Sequence, residues 1–143
     1  MSSNSFISKK NKSKVTYFVV NMRMDGKVTS FMQDLNSLNV DNLQKWFNDD
    51  SKIWIPPAKE IQGGGRIMAL FRAIFRKYES IEWSESEIFD LGKGRYFYET
   101  VSLGTIKGSG SYSNNICTVI SFTECGKIKS LSDYFKDTSS FKP

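Results

Sequence analysis

Residues 63–78 read GGGRIMALFRAIFRKY, and this stretch decides the fold together with the strands that follow it. Its apolar side chains recur every three or four residues, which is the spacing of an amphipathic α-helix. No Lys-Ser or Lys-Thr pair follows the three glycines, so they predict a flexible entry to the helix rather than a phosphate-binding loop. The apolar face of the helix consists of Ile67, Leu70, Phe71, Ile74, Phe75 and Tyr78.

Two further helical segments and a short strand precede this helix. Apolar residues from Val28 to Leu38 follow helical spacing, and Asp41 is a suitable N-cap for a second, short helix. A strand over residues 52–55 then stops at two prolines. Residues 15–24 fit either an edge strand or a lead into the first helix. The apolar residues of the second helix are Leu43, Trp46 and Phe47.

The rest of the chain consists of predicted strands. Four runs rich in β-branched and aromatic residues are separated by turns that contain glycine. Helices followed by a long antiparallel meander are typical of an α+β fold, with the helices on one face of the sheet. The four runs cover residues 81–89, 95–105, 112–122 and 127–135.

Composition and charge indicate one folded domain after a basic tail. Of the 143 residues, 39% are apolar and 14% aromatic, which is enough for a hydrophobic core. Four of the 20 Lys and Arg lie in residues 1–14, which leaves 16 basic against 15 acidic residues in 15–143. We therefore predict a disordered tail over 1–14 and a single domain over 15–143. Because that domain is nearly neutral, no nucleic-acid partner is expected.

The residue types exclude several kinds of site. The chain has no His, and its two cysteines do not form a Cys-x-x-Cys pair, so neither a zinc site nor a Ser-His-Asp triad is predicted. No stretch approaches the roughly 20 apolar residues of a membrane span, and the N-terminus lacks the apolar core of a secretory signal. We expect a cytoplasmic protein without a metal ion or a membrane partner.

Asp133 is the best candidate for chemistry. It lies among aromatic side chains in the closing strand, KIKSLSDYF at residues 127–135. A carboxyl here is either a charge on the rim of the sheet or a pocket group whose burial raises its pKa and suits it to acid–base catalysis. Strand alternation does not decide between the two, since both faces of this strand mix polar and apolar residues.

The strand YFYETVS, residues 96–102, has two different faces. Alternation predicts that one face lines a pocket and the other lies at a dimer seam, without deciding which is which. One face carries the hydroxyl groups of Tyr96, Tyr98, Thr100 and Ser102, and the other carries Phe97, Glu99 and Val101.

Over about residues 27–141 the chain resembles the nuclear transport factor two-like superfamily. The resemblance lies in KVTSFMQDLNSLNVDNLQKWFNDD at 27–50, IWIPP at 53–57, IQGGGRIMALFRAIF at 61–75 and GKIKSLSDYFKDTSSF at 126–141. Its DYF ending is most similar to limonene epoxide hydrolase and the SnoaL-like polyketide cyclases. The resemblance implies a cone-shaped α+β barrel in which three N-terminal helices pack on a curved, mostly antiparallel sheet. It also implies a pocket for a small hydrophobic molecule, and a homodimer.

The family's catalytic residues are matched at one position. Limonene epoxide hydrolases open the epoxide with an Asp-Arg-Asp set, and Asp133 corresponds to the last Asp of that set. Thr100 takes the position of the Arg and Ser102 that of the other Asp, so the second carboxylate is missing. The acid–base positions of ketosteroid isomerases also fall on residues that do not ionise. One ionisable group remains, as in the SnoaL-like cyclases, for which the resemblance implies a single Asp and no cofactor.

These features lead to one hypothesis and two alternatives. The hypothesis is a cofactor-independent acid–base enzyme, a cyclase, isomerase or hydrolase/hydratase, acting on a small hydrophobic molecule with a carbonyl or epoxide, with Asp133 as the proton shuttle. The alternatives are a non-catalytic binding module that uses the same pocket, and a dimerisation or protein-interaction domain with a filled interior. The residues expected to orient substrate oxygens are Thr100, Ser102 and Thr118. The residues expected to form apolar walls are Phe31, Trp54, Phe71 and Tyr98.

Overall fold

The computed structural model describes residues 26–141. The predicted tail over 1–14 and the ambiguous segment 15–24 lie outside the described residues. Within the described residues, the predicted helical segments and strands follow one another in the predicted order, with an additional short strand at Ile61–Gln62 and a short turn at Ser139–Phe141. The helical elements are α1 (residues 26–36), α2 (Gly64–Lys77) and three short 3-10 turns, Val40–Asn42, Gln44–Trp46 and Ser139–Phe141. The strands are β1 (Lys52–Trp54), β2 (Ile61–Gln62), β3 (Tyr78–Gly92), β4 (Arg95–Ile106), β5 (Gly110–Phe122) and β6 (Ile128–Phe135).

The six strands found in residues 26–141 form one sheet, in the order β2-β1-β6-β5-β4-β3. Each neighbouring pair is antiparallel except β1 and β6, which run parallel. The long strands β3, β4 and β5 follow one another as a meander, as their glycine-containing turns predict. The predicted α+β class with a mostly antiparallel sheet is therefore confirmed.

Helix α2 forms where the apolar spacing predicts it. It begins after Gly63, whose φ of 102° is a conformation that favours glycine, and it buries Ile67 and Phe71 against the core. Its last turn carries Arg76 and Lys77, whose charges suit the negative end of the helix dipole. Within residues 26–141, neither helix is long and apolar enough to cross a membrane.

The second helical segment differs from the prediction. It consists of two 3-10 turns with a break at Leu43, and its N-cap is Asn39 rather than Asp41. The side chain of Asn39 accepts a hydrogen bond of 3.0 Å from the backbone N–H of Asp41, so the turn starts earlier than expected. So short a segment gains little from α-helical hydrogen bonds, and its shape follows instead from burying Leu43 and Trp46.

The backbones of β3 and β4 approach each other closely at Gly104. A Cβ atom on Gly104 would collide with the backbone oxygen of Ser80, so only glycine permits this close approach. The pairing register shifts nearby, between Tyr78 and Ser80, as in a β-bulge. Bulges increase the local twist and curvature of a sheet.

The helices and the inner face of the sheet share one hydrophobic core. The centroid of the Phe31 ring on α1 lies 5.7 Å from the ring centroid of Trp46 and 6.2 Å from that of Phe47. In both pairs the ring planes are nearly perpendicular. Phe47 in turn lies 6.0 Å from Phe71 on α2. Edge-to-face contacts of this kind add to the burial energy of the rings, so the aromatic cluster joins the two helices at one end of the core.

Candidate functional site

A cavity of about 420 Å³ lies between the helices and the inner face of the sheet. Its walls come from α1, from α2 and from alternate residues of β4, β5 and β6. Pockets that bind small molecules typically measure about 300–1,000 Å³ and are mostly apolar, as this one is. The interior of the described domain is therefore hollow rather than filled. Its apolar wall includes Phe31, Met32, Leu70, Phe71, Ile116 and Leu131.

Asp133 belongs to the wall of this cavity. It shares the inward face of β6 with Leu131 and Phe135, which also line the cavity. Its cross-strand partner on β5 is Thr118, and the partner of Thr118 on β4 is Tyr98. Three polar side chains thus lie side by side across three strands. The choice between a rim charge and a pocket group, which alternation along β6 leaves open, is decided in favour of the pocket.

Thr118 fixes the carboxyl of Asp133. Its Oγ1 donates a hydrogen bond of 2.6 Å to Asp133 Oδ1. Burial raises the pKa of Asp133 from its usual 3.8 to about 6, because the carboxylate loses hydration, while the bond from Thr118 acts in the opposite direction. A carboxyl with this pKa is mostly ionised at neutral pH but gains a proton readily. These are the properties of a general base that also returns its proton.

Tyr98 adds a neutral hydroxyl to the same place. Its side chain is almost fully buried, and its hydroxyl donates to Met32 Sδ at 3.4 Å. Burial and, second, the nearby charge of Asp133 raise the pKa of Tyr98, while a hydrogen bond with Thr118 lowers it. The phenol therefore stays protonated at neutral pH and is a donor. The sequence predicts Tyr98 as an apolar wall, and the pairing of β4 with β5 and of β5 with β6 shows that Tyr98 also lies beside the polar pair Thr118 and Asp133.

Three other predicted residues also line the cavity. Phe31 lies on α1, Phe71 lies on α2, and Thr100 lies on β4 two residues beyond Tyr98. The hydroxyl of Thr100 donates a long hydrogen bond, 3.4 Å, to the backbone oxygen of Ile116. Because that bond is weak, the hydroxyl of Thr100 has little to lose by turning to a ligand.

Two predicted site residues lie elsewhere. Trp54 pairs with Ser132 on the outward side of β6, and its ring packs against Tyr134 at 5.3 Å instead of forming a cavity wall. Its position follows from the parallel pairing of β1 with β6, which local sequence does not reveal. Ser102 is fully buried but does not line the cavity, and its Oγ has no hydrogen-bond partner among the described residues.

A metal site is not found in the part of the chain that the structure describes. No three side chains among the Cys, Asp and Glu of residues 26–141 come together in a way that would hold a metal ion. The two cysteines are free, with Cys117 half-buried and Cys125 exposed. Burial is the main reason that the pKa of Cys117 is raised, so its thiol is a poor nucleophile.

Sequence comparison and structure comparison give different results. No protein-family model matches the sequence, and no curated protein matches it. Solved structures, in contrast, match over most of the chain.

Three of these structures represent the range of similar proteins. A nuclear transport factor two-like protein of unknown function from Burkholderia pseudomallei is 14% identical, with a TM-score of 0.72 over 82% of this chain and 92% of its own. An epoxide hydrolase of limonene epoxide hydrolase type from M. tuberculosis is 21% identical, with a TM-score of 0.67 over 82% and 85%. A SnoaL-like polyketide cyclase from a Jannaschia species, so described provisionally, is 10% identical, with a TM-score of 0.70 over 80% and 86%.

At these identities the match concerns the backbone and not the activity. Their TM-scores of 0.67 to 0.72 show that their backbones follow the same path as this chain over about four-fifths of its length. The chain therefore has the nuclear transport factor two-like fold, as the resemblance of its sequence elements implies.

Proposed function

We propose that this protein is a cofactor-independent acid–base enzyme in which Asp133 transfers the proton. Its substrate is a small hydrophobic molecule that carries a carbonyl or an epoxide. The observation that carries the proposal is a carboxyl of pKa about 6 in the wall of a largely apolar cavity. Perturbed carboxyls in such cavities are favoured candidates for catalysis. The presence of an epoxide hydrolase and a polyketide cyclase among proteins of similar fold supports the class of reaction.

Proton transfer next to a carbonyl suits this arrangement best. The ionised Asp133 takes a proton from the carbon beside the carbonyl, and the electron pair of that C–H bond moves to the carbonyl oxygen. The neutral hydroxyl of Tyr98, near Thr118 and Asp133, supplies a donor for the negative charge that develops there. Asp133, now protonated, returns the proton to a different carbon of the substrate. The net result is an isomerisation. In a cyclisation, the carbanion instead attacks the carbon of a second carbonyl, and Asp133 gives its proton to the oxygen of that carbonyl.

Epoxide opening has less support than carbonyl chemistry. It needs one group to activate water and another to protonate the leaving oxygen. Among the described residues that line the cavity, Asp133 is the only carboxyl. The corresponding Arg and Asp of limonene epoxide hydrolases are replaced by Thr100, a neutral residue, and by Ser102, which is outside the cavity wall.

The two alternatives make different demands on the interior. A protein-interaction domain is expected to have a filled interior, whereas residues 26–141 enclose a cavity of about 420 Å³. A non-catalytic binding module would use the same cavity but would not depend on a proton acceptor. The catalytic proposal and the binding proposal therefore differ in what happens when Asp133 loses its charge.

A general test of a buried base is the ring opening of 5-nitrobenzisoxazole. The base removes the proton of its ring C–H, the N–O bond breaks, and a coloured cyanophenolate forms. We expect the wild-type protein to catalyse this elimination and Asp133→Asn to lose about 10²-fold or more of the rate. Glu124→Gln is the matched control, because Glu124 is an exposed carboxylate in the turn after β5, away from both the cavity and the outward face of the sheet. Equal rates for wild type and Asp133→Asn would leave the binding module as the better account.

We further propose that the protein is a homodimer that pairs through the outward face of the sheet. Phe89 and Phe97 stack on this face with ring centroids 4.7 Å apart. Val101, Leu103 and Tyr134 are 41%, 56% and 53% exposed there. Several large apolar side chains on one sheet face are unusual for a surface that stays in water, and burial between two copies would cover them.

A further inference from the structure

The cavity has a second charged residue besides Asp133. Among the described lining residues, only Asp133 and Lys77 carry a charge, and the two charges are opposite. Asp133 lies on β6 within the sheet, whereas Lys77 is the last residue of α2, where the chain enters β3. A ligand in this cavity therefore meets a carboxyl on the sheet side and an ammonium at the end of the helix.

Lys77 is held beside the cavity but is not neutralised. Its Nζ lies 5.7 Å from the centre of the Tyr78 ring, and Tyr78 also lines the cavity. Its backbone oxygen accepts a hydrogen bond of 3.0 Å from the N–H of Lys107, which fixes the end of the helix. Within residues 26–141, no carboxylate pairs with Lys77. The ammonium is exposed and directed over an aromatic ring, so it is available to an anion.

A structural role at the end of α2 does not explain why Lys77 lines the cavity. Cations in the last turn stabilise a helix through its dipole, and both Arg76 and Lys77 occupy that turn. Both are exposed, but only Lys77 lines the cavity. The helix dipole favours a basic residue equally at position 76 and at position 77. It does not explain why the side chain at position 77 lines an apolar cavity.

We propose that Lys77 binds the anionic end of the ligand, so that the ligand is an amphipathic acid. Its apolar body fills the cavity, and its carboxylate pairs with Lys77 at the entrance. The charge of Asp133 repels an acid group from the inner wall, and so the two charges together orient the molecule with its acid group outward. The position of the ligand's reacting carbonyl rests on the proposed function, because that carbonyl must lie within reach of Asp133. The preference for an acid stands independently of catalysis.

The experiment compares an acid with a neutral molecule of the same chain length. Decanoate and decan-1-ol, both below their aggregation concentrations, are titrated into wild type, Lys77→Gln and Arg76→Gln by calorimetry. We expect Lys77→Gln to weaken decanoate binding about two- to fivefold, as for a partly exposed ion pair, and to leave decan-1-ol unchanged. Arg76→Gln is expected to bind both molecules as wild type does. Added salt is expected to remove the advantage of decanoate in wild type.

Several results would overturn the proposal. Equal affinity of wild type for the two molecules, or no binding of decanoate, would show that the entrance does not select acids. Equal losses in Lys77→Gln and Arg76→Gln would indicate a general effect of surface charge. The proposed function is tested separately, because elimination of 5-nitrobenzisoxazole depends on Asp133 and requires no acid group. A normal elimination rate with failed acid selection would remove this inference alone, and the reverse result would remove the enzyme proposal alone.

Discussion

Thr118 and Asp133 are joined by a hydrogen bond of 2.6 Å across β5 and β6, from Thr118 Oγ1 to Asp133 Oδ1. Within residues 26–141, no hydrogen bond reaches the other carboxyl oxygen, Oδ2. The threonine thus orients one oxygen of the carboxyl and leaves the other for a ligand. It also limits the rise in the pKa of Asp133 that burial causes.

Replacing Thr118 with Val keeps the shape of the side chain and removes the donor. The pKa of Asp133 should then rise above about 6, since the hydrogen bond to the carboxylate is lost. Hydrogen bonds to charged groups contribute about 1.5–3 kcal/mol, which corresponds to about one to two pKa units. Carbon NMR titration of the Asp133 carboxyl measures the shift. Thr100→Val is the control, because Thr100 lines the same cavity but bonds to Ile116. An unchanged pKa in Thr118→Val would contradict the assigned role.

The raised pKa of Asp133 also makes stability depend on pH. The folded protein holds this proton more tightly than the unfolded chain, so the contribution of Asp133 to the free energy of unfolding falls as pH rises from 3.8 to about 6. Two pKa units correspond to about 3 kcal/mol, which is an upper estimate. Asn cannot ionise, so Asp133→Asn removes the fall in the free energy of unfolding that ionisation causes. Urea unfolding should therefore show the variant to be more stable than wild type at pH 8 but not at pH 4. A variant less stable at both values would refute the expectation.

Two fully buried serines should respond in opposite ways to replacement by alanine. Ser102 Oγ has no hydrogen-bond partner among the described residues, whereas Ser51 Oγ donates to the backbone oxygen of Ile128 at 2.6 Å. Ser102→Ala should leave the free energy of unfolding unchanged or raise it by up to about 1 kcal/mol, because a buried hydroxyl without a partner is unfavourable. Ser51→Ala should lower it by about 1–2 kcal/mol. Chemical denaturation of both variants measures the difference, and equal losses would count against this assignment of Ser102.

The proposed dimer predicts a change of mass when a charge is placed on the outward sheet face. Leu103→Glu introduces a carboxylate into the apolar patch, which would be buried without a partner in the dimer. Sedimentation equilibrium should give a dimer for wild type and a monomer for the variant. Leu38→Glu is the control, because Leu38 is 38% exposed in the loop after α1 and away from that face. A monomeric wild type would refute the dimer.

Most of the fold follows from local patterns in the sequence. The period of α2, the glycine turns and the alternating strands predict the helix, the meander and the α+β class. What local pattern does not reveal is pairing between distant segments, such as the parallel contact of β1 with β6. That pairing turns Trp54 outward, so Trp54 does not form the cavity wall that its residue type suggests. The 3-10 turns after α1 escaped prediction for a related reason, since packing and not propensity shapes so short a segment.

The site is predictable in its residues but not in its geometry. Asp133, Thr118 and Thr100 are identified from residue type and family resemblance, and all three line the cavity. The alternation of β6 leaves the face of Asp133 undecided, because both faces are mixed. The pairing of Asp133 with Thr118, and of Thr118 with Tyr98, resolves it. The role of Lys77 depends on how the end of α2 meets the cavity, which no local pattern contains.

If Asp133 is the base, the pH dependence of 5-nitrobenzisoxazole elimination must follow the titration of its carboxyl. We expect kcat/KM to rise with pH along a single titration with its midpoint at about 6, and we expect Asp133→Asn to abolish this rise. A rate without such a midpoint, or a rise that persists in Asp133→Asn, would show that Asp133 is not the base.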